Sequence, residues 1–270
     1  MIIKPETIDF SKYRRFFTFG CSFTEYAWPT WSNILKEEMP DVEYYNFGTA
    51  GAGNMMISNR IVEADLKFKF NEDDLIMVLW STFCREDRWL SGRGWIHPGN
   101  IFSQGVYDES FVENFADETG YLIKDMALIT LANNYLENHK CHSIPLMSVP
   151  LDHQQDIDSS VFKEVKTLYD PIINKMPESL YALEMNNTWE NGHSYYLFNN
   201  PAHDSTKLFD DYHPAPNRYC QYLLKIGFKL SDHTLNYAHE VTDILKSSTV
   251  DPRDRKELNH GALYASSRMF

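Results

Sequence analysis

Six consecutive apolar residues, Leu75-Ile76-Met77-Val78-Leu79-Trp80, restrict the fold open to this chain more than any other stretch. A strand with one wet face alternates polar and apolar side chains. A run without alternation belongs to a strand covered on both faces, and such strands occur in parallel sheets flanked by helices. The residues before it fit that frame. Phe16-Phe17-Thr18-Phe19 reads as a first strand, Trp28 to Met39 as a first helix entered through Pro29, Val42 to Phe47 as a second strand, and Met55 to Phe68 as a second helix from the spacing of Met56, Ile57, Ile61 and Ala64. Asn71-Glu72-Asp73-Asp74 marks the turn into the apolar run, which completes a βαβαβ pattern. Beyond it, Glu118 to His139 predicts a long helix, Ser143 to Pro150 a fourth strand bracketed by prolines, residues 158–176 a helix, Arg218 to Ile226 a proline-started helix and residues 231–247 a last one. Residues 178–209 mix short β-prone pieces with polar runs and match no single period. The fold class that follows is α/β, a doubly wound three-layer sandwich with a mostly parallel central sheet, in which ligands bind at the carboxyl ends of the strands.

With 270 residues the chain has the length of one α/β domain with decorations. Residues 1–250 are expected to form that domain, residues 81–117 an insertion rich in Trp, Gly, Arg and His, and 251–270 a charged extension. Acidic residues outnumber basic ones by 38 to 25, a balance that argues against a nucleic-acid or anionic-membrane partner and for a small or neutral one. Four scattered cysteines (Cys21, Cys84, Cys141, Cys220) form no CxxC pair, so they read as reduced thiols rather than a disulfide framework or zinc knuckle. The stretch from Met1 to Glu6 lacks the apolar run of a signal peptide, and no segment approaches the ~20 apolar residues of a membrane span. The expectation is a cytoplasmic protein, unless it is carried out as part of an assembly.

Three segments carry candidate chemistry. The first strand runs into Gly20-Cys21-Ser22-Phe23-Thr24, a tight turn that presents a serine, although Thr24 departs from the G-x-S-x-G pattern and Ser22 could equally be a helix cap. Asn46-Phe47-Gly48-Thr49-Ala50-Gly51 follows the second strand, where Gly51 could bring a backbone N–H up to a substrate or could merely need a positive φ. Near the C-terminus, Asp210-Asp211-Tyr212-His213-Pro214 places a carboxylate three residues before an imidazole, close enough in a turn to fix its tautomer, or to cap the helix that follows.

In their order and spacing these segments resemble the SGNH (GDSL-like) hydrolase superfamily. The resemblance implies the flavodoxin-like fold of that group and a serine esterase without cofactor or metal. It makes Ser22 the nucleophile, His213 the base, Asp210 its orienter, and the backbone amides of Ser22 and Gly51 oxyanion donors. It departs at the third block, where the family carries Gly-x-Asn-Asp and this chain reads Leu79-Trp80-Ser81-Thr82-Phe83-Cys84-Arg85. Ser81 or Thr82 could donate a hydroxyl in place of the Asn, and Arg85 could reach the site as a cation. Similar chains with a Phe-Gly-Cys-Ser-Phe-Thr start occur among proteins of tailed bacteriophages and bacteria, which makes association with a virion an expectation as well. The expected substrate is a small-molecule or glycan ester, foremost an O-acetyl group on a carbohydrate, because Trp89 and Trp95 in the insertion suit sugar faces. Three alternatives stand beside it: a catalytically silent binding or assembly protein, a metal-dependent hydrolase drawing on Asp210, His213, His97, His142 and His203, and Cys21 as nucleophile in place of Ser22.

Overall fold

The computed structural model describes residues 1–103, 107–150, 159–185, 198–199, 208–209 and 213–247. Four parallel strands form the central sheet: β1 (Arg15–Gly20), β2 (Glu43–Gly48), β3 (Asp74–Trp80) and, after a small hairpin of β4 (Arg88–Leu90) and β5 (Gly94–Ile96), β6 (His142–Met147). Their order is β2-β1-β3-β6, and every residue of β3 is buried, as its unbroken apolar run requires. Between the strands lie α1 (Trp31–Glu37), α2 (Asn54–Phe68), α3 (Glu109–Phe115) and α4 (Glu118–Asn138). After β6 come α5 (Ser159–Ile173), α6 (Leu180–Met185), a two-residue ladder of β7 (Phe198–Asn199) with β8 (Leu208–Phe209), then α7 (Pro216–Lys225) and α8 (Asp232–Ser247). Helix contacts fall into two groups, α1 with α6, α7 and α8, and α2 with α4 and α5. These are the outer layers of the sandwich. The chain leaves β1 for β2 on one side and returns past β1 to β3 on the other, so the topological switch point lies at the carboxyl ends of β1 and β3.

Aromatic stacking sets the register of β1 on β2. Phe16 pairs with Tyr44, Phe17 with Tyr45 and Phe19 with Phe47, and each pair is stacked, with centroids 5.4, 4.6 and 5.1 Å apart. Each such pair contributes on the order of 1 kcal/mol beyond its buried area, and a slip by one residue would lose all three. At the other end of β1, the Arg15 guanidinium grips the carboxylate of Asp74 on β3 in a two-pronged bond, Nε to Oδ1 at 2.6 Å and Nη2 to Oδ2 at 2.7 Å. Asp74 is fully buried and takes a further bond from the Asn71 N–H at 2.7 Å.

Several expectations are corrected. The first helix starts at Trp31 rather than Trp28, because Thr30 turns its N–H to Asn33 Oδ1 at 3.0 Å while the Trp28 indole is pulled away to donate to the Pro214 carbonyl at 2.9 Å. Pro145 sits inside β6 rather than bracketing it, and it is tolerated because β6 ends the four-stranded sheet. The 81–117 insertion has structure of its own, the β4–β5 hairpin and α3. Residues 178–209 include α6, and the expected extension at 251–270 lies outside the described residues. Replacing Arg15 by Ala strands a buried carboxylate, so Arg15→Ala is expected to cost about 3 kcal/mol in urea unfolding, and a loss below about 1 kcal/mol would contradict this account of the β1–β3 pairing.

Candidate active site

β1 and β2 end together at Gly20 and Gly48, and β3 runs beside β1 to Trp80, so Ser22, Ala50 and Ser81 each stand within two residues of a strand's carboxyl end. The turn at Ser22 is built around Thr24. Its N–H donates to the Cys21 carbonyl at 2.9 Å, and its side chain folds back so far that a Cβ at position 20 would stand 2.1 Å from Oγ1, so residue 20 must be Gly. The Thr24 carbonyl accepts from Thr30 Oγ1 at 2.7 Å, Ser32 Oγ at 2.9 Å and Asn46 Nδ2 at 3.1 Å, while Thr24 Oγ1 receives the Trp31 indole N–H at 3.3 Å. The threonine that breaks the G-x-S-x-G pattern is thus the residue that ties the turn to α1 and β2. Ser22 itself is 8% exposed, and the Cys21 side chain is buried in the core, which puts the alternative nucleophile out of a substrate's reach.

His213 lies against this same turn. Its ring stacks on Tyr26, with centroids 3.6 Å apart and planes 17° from parallel, and it faces Phe23 at 5.1 Å and the edge of Trp28 at 6.5 Å. The bond from the Trp28 indole to the Pro214 carbonyl, buried and spanning 186 positions, holds the two segments together. Asp210 lies outside the described residues. The cap of α7 is Ala215, with Pro216 at its first position, so the alternative reading of Asp210 as the cap of that helix does not hold.

The Gly51 loop has φ +79° at Gly51, and a Cβ there would come 2.3 Å from the His97 carbonyl oxygen. His97, just past the β4–β5 hairpin, also donates from Nδ1 to the Ala50 carbonyl at 2.8 Å, so the insertion is strapped over this loop. Beneath it the Arg60 guanidinium donates to the Phe47 carbonyl at 3.1 Å and to Thr49 Oγ1; burial pulls this arginine down to about 10.

In the third block, Arg85 Nη1 donates to the Ala52 carbonyl at 2.8 Å and Nε to Thr82 Oγ1 at 3.1 Å, which ties this block to the glycine loop. Because Thr82 Oγ1 accepts from Arg85, its own O–H is left to donate elsewhere. Ser81 Oγ is buried and has no hydrogen-bond partner among the described residues, whereas its peptide is gripped at both ends by the Asn54 side chain. Cys84 has φ +62°, a left-handed conformation that costs a non-glycine residue about 1–2 kcal/mol, and its carbonyl accepts from the Ile101 N–H at 2.8 Å.

Four residues around these loops carried little or no signal in the sequence. Tyr26 stacks on His213 from a loop position without any pattern. Asp87 caps α2 with both oxygens, accepting from the Gly53 N–H at 2.9 Å and the Met56 N–H at 3.0 Å; burial raises its carboxyl, while those two bonds oppose the rise. Asn54 bonds Asp125 Oδ2 at 2.9 Å, and burial pushes the Asp125 carboxyl up to about 7. Of the four, Asp125 gave a weak signal, an acid on the mostly apolar buried face of α4 with Leu122, Met126 and Ile129.

His97 lies beyond the carboxyl end of β2, His142 opens β6 at the opposite end of the sheet with Nδ1 3.0 Å from the Tyr13 hydroxyl, and His203 is outside the described residues. Among the described residues no group of three or more His, Cys, Asp or Glu could hold an ion.

No family model matches this sequence, and no curated protein matches it. Among solved structures the chain is similar to a GDSL-like lipase of Bacteroides thetaiotaomicron, at 15% identity over 82% of this chain and 89% of that one with a TM-score of 0.41. It is also similar to a candidate acylhydrolase of Bacteroides fragilis, at 13% identity over 89% of this chain and 91% of that one with a TM-score of 0.40. A third likeness, to the YxiM protein of Bacillus subtilis, has 11% identity and a TM-score of 0.37, covering 66% of this chain but only 46% of that one. Likenesses this distant do not bear on what the chain does.

Two outcomes are expected. Completing the G-x-S-x-G pattern with Thr24→Gly removes the side chain that ties the turn to Trp31 and frees the backbone, so it destabilises by about 1–2 kcal/mol in denaturant titration; a neutral or stabilising effect would refute the role given to Thr24. The folded protein binds the Asp125 proton more tightly than the unfolded chain, whose carboxyl titrates near ~3.9. The stabilisation this brings is complete below that pH and is lost as pH rises through about 7. Asp125→Asn, which cannot ionise, should therefore gain stability relative to the native protein between about pH 4 and 7, and parallel curves across that window would count against the burial assigned to this carboxyl.

Proposed function

We propose that this chain is an SGNH-type serine hydrolase that cleaves a carboxylic ester. The observation that carries the reading is the packing of His213 on Phe23 and Tyr26, in the same tight turn as Ser22, at the switch point of a doubly wound sheet. In this reading Ser22 Oγ attacks the ester carbonyl as His213 takes its proton, and the imidazolium returns that proton to the departing alcohol. Water activated by the same imidazole then resolves the acyl-enzyme. Asp210 orients the ring. The oxyanion is met by the backbone N–H groups of Ser22 and Gly51 and by the Thr82 hydroxyl, whose proton Arg85 leaves available. Arg85 and Ser81 then act as scaffold, and no metal or cofactor takes part.

An O-acetyl group on a carbohydrate is the substrate we favour. Trp89 is 46% exposed on the β4–β5 hairpin and meets Trp95 edge-on at 6.0 Å, and His97 straps this hairpin to the glycine loop. An exposed indole on a hairpin strapped to the glycine loop offers a flat apolar face of the kind on which sugar rings stack.

A fluorophosphonate probe should label the native protein at Ser22 and leave Ser22→Ala unlabelled, and His213→Ala should lower kcat on p-nitrophenyl acetate by about 10³-fold or more. Trp89→Ala should raise KM for an acetylated oligosaccharide while leaving p-nitrophenyl acetate hydrolysis unchanged. Absence of labelling at neutral pH would sink the enzyme reading in favour of a binding protein on the same fold, which the binding of Arg85 into the scaffold would also suit. Equal KM changes for both substrates would remove the carbohydrate.

A further inference from the structure

We propose that Asp125 and Asn54 are positioning residues for this site: acting through the Ser81 peptide, they hold in place the loop from which Thr82 faces the substrate. The proposal rests on the esterase reading above and adds two residues to it. Strand β3 ends at Trp80, paired with Met147, so the peptide of Ser81 is the first beyond the ladder. What replaces the ladder is the side chain of Asn54, the first residue of α2. Its Oδ1 accepts the Ser81 N–H at 2.8 Å, and its Nδ2 donates to the Ser81 carbonyl at 3.2 Å. A side-chain amide thus supplies the paired donor and acceptor that a neighbouring strand would have supplied.

The amide is held in turn from α4. Nδ2 donates its second proton to Asp125 Oδ2 at 2.9 Å, and since Oδ1 faces a donor and Nδ2 faces two acceptors, only one orientation of the Asn54 amide satisfies all three bonds. Asn54 and Asp125 are each 1% exposed. Position 82 follows directly from this clasped peptide, and Arg85 draws Thr82 Oγ1 toward Ala52 from the other side. The hydroxyl proposed to meet the oxyanion is therefore aimed by two helices and a guanidinium rather than by the sheet.

Stability alone does not explain a carboxyl at this point. Asp125 lies on the buried face of α4 with Leu122, Met126 and Ile129, its Oδ1 is buried with no hydrogen-bond partner among the described residues, and an apolar side chain there would avoid the cost of desolvating it. The charges acting on it are mixed: Lys124 favours its ionised form, while Asp87 and Glu86 oppose it. A group that costs stability next to a candidate site is expected to serve that site.

The test uses the full chain. Asp125→Leu removes the acceptor and leaves the Asn54 amide free to turn, so kcat on p-nitrophenyl acetate should fall by roughly 10- to 100-fold with KM changed less than about threefold, the size expected from a displacement on the order of an ångström at a donor. Asp125→Asn keeps an acceptor and should recover most of that loss. Hydrogen exchange at the Ser81 amide, read by NMR, should speed up in Asp125→Leu and return toward the native rate in Asp125→Asn. Should Asp125→Leu fail to fold, Asn54→Ser, which removes the clasp and leaves α4 intact, should show the same loss of kcat and the same faster exchange. Folded Asp125→Leu or Asn54→Ser with faster Ser81 exchange but native kcat overturns the proposal, as does exchange unchanged in both. Fluorophosphonate capture by Ser22 is read alongside: capture with native kcat in the variants removes the positioning role alone, and absence of capture removes the esterase reading and this role with it.

Discussion

The placement of every candidate residue depends on how β1 is held between β2 and β3. Stacked pairs along β1 and β2 set one register, and the two-pronged Arg15–Asp74 bond ties β1 to β3 at the amino end. With both neighbours fixed, the carboxyl ends of the three strands lie on one edge of the sheet, and the loops that carry Ser22, Ala50 and Ser81 all leave from that edge. Parallel strands allow this because all their ends of one kind lie on one edge, which is also where the chain reverses its winding direction.

Past the strand ends the order is maintained by side chains standing in for missing ladder bonds. Thr24 and Asn46 close the first loop, Arg60 and His97 clamp the second from below and above, and Asn54 and Arg85 hold the third. Each loop is thereby bonded to the next: the first to the second through Asn46, the second to the third through Arg85. A loop built this way is stiff without being regular, which is what a site that must present hydrogen-bond donors at fixed points requires. Strain is present in this region too, with Cys84 in a left-handed conformation at the root of the third loop, as Lys69 is where α2 ends.

Much of the fold was legible. The apolar run of β3, the helical spacing of α2 and the proline entry to α7 are local signals, and each element stands within a few residues of where its pattern puts it. The boundaries moved where a distant partner intervened, as when Pro214 draws Trp28 out of the first helix. The β4–β5 hairpin escaped because its strands are three residues long and partly or fully exposed, too short for an alternation to show. In the site, Ser22, Gly51 and His213 were visible as types in a spacing. Arg85 was visible as a positive charge near the candidate site, and only the structure shows that Nη1 and Nε bond the Ala52 carbonyl and Thr82 Oγ1.

By itself the sequence determined the layered α/β architecture and singled out Ser22 and His213 as candidates. Both follow from periodicity and turn chemistry, which act over a few residues. Only the tertiary structure decided that Tyr26 would stack on His213, that Thr24 would do the work expected of a glycine, and that an asparagine and a buried aspartate would hold the Ser81 peptide. Those relations join residues up to 187 positions apart, the separation of Tyr26 and His213 in the sequence, and their geometry exists only after the sheet has brought the strand ends to one edge.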